Sequence, residues 1–287
     1  MLTAGRDRGD SLRWAGQGTE RLLAALATLP DHRLDRPTAL PGWTGKHLLA
    51  HLAANAEALI NLAAWARTGV PTPMYASPQQ RTADIEAGAR RPAAELRAWV
   101  ADSAAALDTA LAHLDAGQWL RPVRTAQGRT VPAEEIPWMR AREVLVHAVD
   151  LDAGMSFADL PADFLAALID DITAKRSNAG DGPALVLTAT DFPRTWTITG
   201  ASPPAAATSV GPSAPVAGTG QSAPVPGAGP SAAVAGSPAA ATGVGPPAPV
   251  AGAGPPATVT APLADLAAYL AGRPFDGMAA PALPPWL

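Results

Sequence analysis

Apolar residues recur with a helical period along the first two thirds of the chain. Five leucines of the segment 10–29 lie on one such period. Comparable patterns, separated by proline and glycine, predict further long helices over 44–68, 78–114 and 133–151. Arg91-Pro92 is expected to break the third helix, and Pro161 opens a short fifth helix. Four long helices joined by loops are typical of an up-and-down bundle.

The pattern changes after residue 180. The segments ALVLTAT (184–190) and RTWTITG (194–200) are rich in Thr, Val, Trp and Ile and flank a short Asp-Phe-Pro turn, which predicts a β-hairpin. ATVT (257–260) is a candidate third strand, and APLADLAAYLAGR (261–273) has a helical pattern. We therefore expect a small α+β domain after the bundle.

A tract rich in Pro, Ala and Gly interrupts this second domain. Residues 200–258 contain 13 Pro and 11 Gly, and no charged side chain occurs between Thr195 and Ala264. Such a composition predicts a disordered, partly polyproline-II linker. The domain organisation that follows is a helical bundle over 1–180 and an α+β domain over 181–287 with this low-complexity insertion.

The charge and hydropathy of the chain exclude several function classes. The net charge is −4 and there are only two lysines, which argues against a nucleic-acid-binding face and against a polybasic membrane anchor. No stretch of ~20 residues is continuously apolar, so we expect no membrane-spanning helix. The N-terminal residues include Arg6, Asp7 and Arg8 and lack the apolar core of a signal peptide. These features predict a cytoplasmic protein.

The chain contains no cysteine. Disulfides, thiolate metal sites and a nucleophilic thiol of the protein itself are therefore excluded. Any metal must be held by His, Asp or Glu, and any thiol chemistry must use a thiol supplied from outside.

Two predicted helices carry residues with the spacing of metal ligands. His47 and His51 lie four residues apart on the second helix, and Glu143 and His147 repeat that spacing on the fourth. Imidazoles and carboxylates facing each other across a bundle build metal sites, and a His₂Glu set leaves zinc an open position. Spacing alone leaves open whether His47 or His51 takes part, and whether these pairs are surface salt bridges instead. The apolar surroundings of His51 and His147 favour a buried site.

Three segments of the sequence have a pattern specific enough to compare with known families: PGWTGKHLLAHLAANAEALINLAAWARTGVPTPMYASPQQRTADIEAGA (41–89), PWMRAREVLVHAVDL (137–151) and VTAPLADLAAYLAGR (259–273). They resemble the mycothiol-dependent maleylpyruvate isomerase family, which has a DinB-like metal-binding four-helix bundle. It covers about 10–200, together with 257–273, and leaves out the tract. The resemblance implies a divalent metal, zinc, held by His51, Glu143 and His147. It implies that His47 lines the pocket mouth or caps the site.

The resemblance also implies a small carboxylate substrate and a low-molecular-weight thiol, mycothiol, as partners. Because maleylpyruvate carries two carboxylates, we expect arginines to bind it, and we assign this role to Arg81 and Arg273. Arg140 and Arg142 flank Glu143 and are further candidates for this role, but we expect them to form salt bridges instead. Asp150, three residues after His147, either orients that ligand, or caps the helix end or pairs with an arginine.

The implied activity is a cis–trans isomerisation. A metal-bound thiolate adds to an activated double bond, the bond rotates, and the thiol is eliminated. Three alternatives stay open at this point: thiol transfer to an electrophile on the same site, hydrolysis by a metal-bound water, and a metal-binding module without catalytic activity.

Overall fold

The computed structural model describes residues 5–180, 182–200, 256–274 and 280–284. The long helices come first and the strands of the predicted C-terminal domain follow, in the order expected from the sequence. The helices are α1 (Arg8–Thr28), α2 (Gly45–Thr68), α3 (Pro78–Gly88), α4 (Ala93–Ala112), α5 (Ala116–Trp119), α6 (Ile136–Asp150), α7 (Ala162–Ala179) and α8 (Leu263–Leu270). The strands are β1 (Pro122–Arg124), β2 (Thr130–Pro132), β3 (Leu185–Ala189), β4 (Thr195–Ile198) and β5 (Ala257–Ala261).

The predicted four-helix bundle is formed by α1, α2, α4 and α6. The predicted break in the third helix is confirmed, because α3 ends at Gly88 and α4 begins at Ala93, directly after Pro92. α1 and α6 pack along each other, as do α2 and α4, and α2 also contacts α6. This arrangement faces the middle of α2 towards the middle of α6.

Two expectations for the remaining elements need correction. The helix after Pro161 is not short, because α7 extends over 18 residues and buries an apolar face that includes Phe164 and Leu168. In addition, β1 and β2 form a small antiparallel hairpin in which Val123 pairs with Val131. This hairpin lies in a region for which the sequence pattern predicts no strand, since each strand has only three residues.

The three predicted strands after residue 180 form one sheet in the order β4-β3-β5. β3 and β4 are antiparallel, which confirms the hairpin, and β5 runs parallel to β3 with Leu187 opposite Val259. Alternate side chains of β3 are buried, as expected of a sheet with one covered face. α7 and α8 pack on each other, and α7 also contacts β4.

One apolar core extends from the bundle into the sheet. Trp14 of α1 contacts Trp138 of α6 and Phe164 of α7 edge to face, and their cluster continues to Leu187 and Trp196. The described residues of 1–201 and 256–287 belong to one compact unit. The domain boundary at 180 stays a prediction, and the low-complexity tract predicted over 200–258 lies outside the described residues except at its ends.

In the part of the chain that the structure describes, no helix is both long enough and apolar enough to cross a membrane.

Candidate metal centre

Three side chains from two helices converge at the centre of the bundle. His51 projects from α2, and Glu143 and His147 project from successive turns of α6. The Nε2 atoms of His51 and His147 lie 2.9 Å and 3.2 Å from the same carboxylate oxygen, Oε2 of Glu143. One ligand atom from each residue lies within 4.8 Å of the other two. The predicted group of three is therefore assembled in space.

Burial and mutual hydrogen bonds shift the pKa values of these three residues. His51 and His147 are each only 4% exposed. Burial lowers the pKa of His51 despite the neighbouring Glu143. Burial also opposes protonation of His147, but hydrogen bonds with Asp150 and Glu143 raise its pKa. Burial alone would raise the pKa of Glu143, yet hydrogen bonds from both histidines lower it well below its ordinary value. Glu143 is consequently ionised at neutral pH.

The donor set fits a divalent metal ion. Two buried imidazoles and one half-buried carboxylate, supplied by facing helices, are the ligands of zinc sites that keep a position open for another ligand. In place of the two imidazole–carboxylate hydrogen bonds, a cation could take lone pairs from Nε2 of each histidine and from Oε2 of Glu143.

The other face of His147 is held by Asp150. Oδ2 of Asp150 lies 2.7 Å from Nδ1 of His147. Arg273, from the segment after α8, donates to both oxygens of Asp150, with Nε–Oδ1 at 3.0 Å and Nη2–Oδ2 at 2.7 Å. Burial opposes ionisation of Asp150, but these two partners lower its pKa. A chain of contacts thus connects the C-terminal segment to His147.

Arg81 lies at the opposite side of the group, next to His51. Its Nη2 is 3.3 Å from Nδ1 of His51, and its guanidinium lies 5.7 Å from the centroid of the Tyr75 ring. Burial raises the pKa of Tyr75, while the charges of Arg81 and Arg140 lower it and that of Glu143 raises it further. The phenol therefore lies within the electric fields of all three charged groups.

His47 does not join the three converging residues. Its Nδ1 is 3.2 Å from the backbone nitrogen of Thr44 and 2.8 Å from the Thr44 hydroxyl, and its Nε2 is 3.6 Å from Glu86. Thr44 is the N-cap residue of α2, so His47 satisfies an unpaired donor at the start of that helix. Between His47 and His51, the geometry favours His51.

The two arginines that flank Glu143 have different surroundings. Arg142 forms the expected salt bridge, with its Nη1 2.9 Å from Oδ2 of Asp171. Arg140 forms no salt bridge with any described residue. Its Nη1 donates instead to the carbonyl oxygen of Leu52 at 2.8 Å and to Oδ1 of Asn55 at 3.1 Å.

Sequence reasoning did not single out Asn55 or Tyr75. Asn55 lies four residues after His51 and so shares its helix face. This spacing alone would have predicted that Asn55 lies near the site. Tyr75 belongs to the loop between α2 and α3, and no periodic pattern points to it. His113, in contrast, is exposed and contacts the carbonyl of Thr109, as expected of a histidine outside the site.

Comparisons with known proteins agree with this geometry. The family model described as the mycothiol maleylpyruvate isomerase N-terminal domain matches residues 15–152. The crystal structure of a mycothiol-dependent maleylpyruvate isomerase shares 31% sequence identity with this chain, with a TM-score of 0.76 and 98% of each chain covered. A mutant of that isomerase, in which one histidine is replaced by alanine, matches with the same values. Comparison with curated proteins gives no match.

The match extends over the bundle and the C-terminal sheet, and it confirms both the resemblance and the DinB-like fold expected from it. The chain belongs to the mycothiol-dependent maleylpyruvate isomerase family, which is a family of enzymes.

Proposed function

We propose that this protein is a metal-dependent enzyme that uses mycothiol to isomerise maleylpyruvate or a closely similar unsaturated dicarboxylate. The observation that carries the proposal is the convergence of His51, Glu143 and His147 within 4.8 Å. This group occurs in a chain that is 31% identical, over 98% of its length, to a mycothiol-dependent maleylpyruvate isomerase.

His51, Glu143 and His147 would hold the metal ion, for which zinc is the best fit to the donor set. When bound, the metal lowers the pKa of a thiol ligand, and the thiol supplies the nucleophile that adds reversibly to an activated double bond. The absence of cysteine supports the use of an external thiol as the nucleophile, because the chain has no thiol of its own.

Asp150 keeps His147 in the state that a ligand requires. Its Oδ2 accepts a hydrogen bond from Nδ1–H of His147, so that in the neutral imidazole the lone pair of Nε2, on the side of Glu143, would be available to a metal. Arg273 donates to Asp150 through both Nε and Nη2. This edge of its guanidinium is therefore already occupied by a carboxylate of the protein. We therefore assign Arg273 a positioning role, acting through Asp150, instead of direct substrate binding.

Arg81 is the better candidate for direct contact with substrate. Its Nη2 donates to Nδ1 of His51 only while that nitrogen carries no proton. When His51 uses Nε2 as its ligand atom, the proton of the neutral imidazole lies on Nδ1, which can no longer accept from Arg81. The guanidinium is then available for a substrate carboxylate.

An isomerisation assay tests the proposal. Zinc-loaded protein is mixed with maleylpyruvate, with and without mycothiol, and the cis and trans isomers are quantified by NMR together with the free thiol. We expect conversion only with thiol and metal present, and no net consumption of thiol. Consumption of thiol would indicate an S-transferase, and hydrolysis products formed equally fast without thiol would indicate a metal-dependent hydrolase. Absence of any turnover with metal, thiol and substrate would contradict the proposal.

A further inference from the structure

Arg140 is a buried cation that leaves three of its five N–H donors without a partner among the described residues. It lies on α6 one turn before Glu143, and only 2% of its surface is exposed. Nη1 makes both of its hydrogen bonds, to Leu52 and Asn55 on α2. Nε and Nη2 have no hydrogen-bond partner among the described residues.

Leaving these two donors unsatisfied inside the protein is energetically unfavourable. Each buried donor without a partner loses its hydration without compensation. Burial lowers the pKa of Arg140 to about 10, although Glu143 and Asp108 act on it from a distance and oppose that shift. Neither carboxylate forms a hydrogen bond with it. A structural role as a link between α6 and α2 needs only Nη1, so it does not explain the unused edge.

The two unused atoms lie on the same edge of the guanidinium plane. Nε–H and Nη2–H point in parallel from that edge, and their spacing matches the two oxygens of a carboxylate. This fork is the geometry by which arginine recognises a carboxylate with two hydrogen bonds, and lysine cannot reproduce it.

The surroundings of Arg140 belong to the candidate metal centre. Arg140 donates to Leu52 and Asn55, which lie directly after His51 and one turn after it on α2. Its charge, like that of Arg81, acts on the phenol of Tyr75. Arg81 in turn contacts His51. Both guanidinium groups therefore lie near the three converging residues.

We propose that the Nε–Nη2 edge of Arg140 binds one carboxylate of a small cis-dicarboxylate substrate, while Arg81 binds the other. The identity of the substrate class rests on the proposed function, but binding of a dicarboxylate does not require turnover. Arg140 is, on this inference, the residue that makes the site prefer two carboxylates over one.

Binding measurements on zinc-loaded protein test this inference. Maleate, which has two carboxylates, and crotonate, which has one, are titrated calorimetrically into the wild type, Arg140→Lys and Arg142→Lys. Arg142→Lys is the matched control, since Arg142 lies on the same helix and pairs with Asp171. We expect Arg140→Lys to weaken maleate binding by about tenfold or more, as loss of a charge-assisted hydrogen bond predicts, and to leave crotonate binding nearly unchanged.

Zinc content and melting temperature are measured for each variant. A purely structural role of Arg140 would change these two quantities and would weaken the binding of maleate and crotonate equally. Equal weakening of maleate and crotonate binding, or unchanged maleate affinity, overturns the inference.

If Arg140→Lys does not fold, a crystal structure of the zinc-loaded wild type with maleate decides. A carboxylate within hydrogen-bond distance of Nε and Nη2 supports the inference, and its absence there overturns it. Maleate binding without isomerase activity would contradict the proposed function and leave this inference intact.

Discussion

The carboxylate of Asp150 lies 2.7 Å from the imidazole of His147, on the side opposite Glu143. His147 thus has a carboxylate at each ring nitrogen. Contacts of this kind fix the tautomer and the orientation of a metal-binding histidine. Asp150 is buried and is itself held by Arg273, so the orientation of His147 depends on the segment that follows α8.

Replacing Asp150 by asparagine tests this dependence. Asp150→Asn preserves the shape of the side chain but removes the charge that orients His147. We expect metal affinity and isomerase activity to fall by about 10- to 100-fold, as is usual for such supporting groups. Affinity is measured by competition with a chromogenic chelator.

Asp152→Asn is the matched control. Asp152 is exposed and contacts Arg33 outside the site, so its substitution should leave metal affinity within twofold of the wild type, by the same competition assay. Equal effects of the two substitutions would show that Asp150 has no specific role.

The metal content of single variants tests the ligand set. We expect about one divalent ion per chain in the wild type, and loss of it in His51→Ala, Glu143→Ala and His147→Ala, because each removal leaves only two donors. His113→Ala should retain the ion, since His113 is exposed and contacts the carbonyl oxygen of Thr109 instead of the three ligand residues. The ion is quantified by mass spectrometry after gel filtration. Full retention in two of the three ligand variants would disprove the assignment.

Gly18 allows α1 to approach the helix that carries Glu143. A methyl group at Gly18 would lie 2.6 Å from Val144 and 2.8 Å from Leu145, both fully buried. We expect Gly18→Ala to lower the free energy of unfolding by about 1 kcal/mol or more, because overpacking outweighs the gain in helix propensity.

Gly16, on the same helix, has open space around the corresponding position. Gly16→Ala should therefore raise the free energy of unfolding by about 0.5–1 kcal/mol. Both variants are compared by urea denaturation. Equal stabilisation by the two substitutions would contradict the close helix packing.

Asp171 links stability to pH. Burial opposes its ionisation, but the charges of Arg142 and Lys175 lower its pKa in the folded state. A carboxyl group with a lowered folded pKa contributes stability above its unfolded pKa of about 3.9, and this contribution is lost as the pH falls through the folded value. Asp171→Asn should cost about 3 kcal/mol at pH 7, and the difference from the wild type should shrink below about pH 4.

The measurement is chemical denaturation at a series of pH values between 7 and 2.5. The exposed Asp102 on α4 provides the control variant, Asp102→Asn, which should follow the wild type throughout. A difference in the free energy of unfolding between Asp171→Asn and the wild type that stays constant at all pH values would show that the charge of Asp171 does not contribute to stability.

Much of the fold follows from patterns that the sequence displays directly. Helical periodicity located α1, α2, α4 and α6, and the strand composition located β3 and β4. The sequence underestimates the length of α7, because Asp170 and Asp171 interrupt its apolar pattern halfway along the helix. Those aspartates are in fact buried against arginines from other elements, and such long-range pairs leave no local signal.

The candidate site was predictable only in part for the same reason. The spacing of Glu143 and His147 placed them on one helix face, but it could not choose between His47 and His51 across the bundle. That choice depends on the capping of α2, where His47 contacts Thr44. The unused edge of Arg140 depends on which carbonyl of α2 faces α6, and only tertiary packing decides that.

The proposed function requires an external thiol to bind the metal that His51, Glu143 and His147 would hold. Because the chain contains no cysteine, a thiolate-to-metal charge-transfer band in cobalt-substituted protein can arise only from added thiol. The absorption spectrum of the cobalt-loaded protein is therefore recorded during titration with mycothiol. We predict that the band appears and saturates at one thiol per bound cobalt. Saturating thiol that produces no such band, while cobalt stays bound, would show that the thiol does not bind the metal.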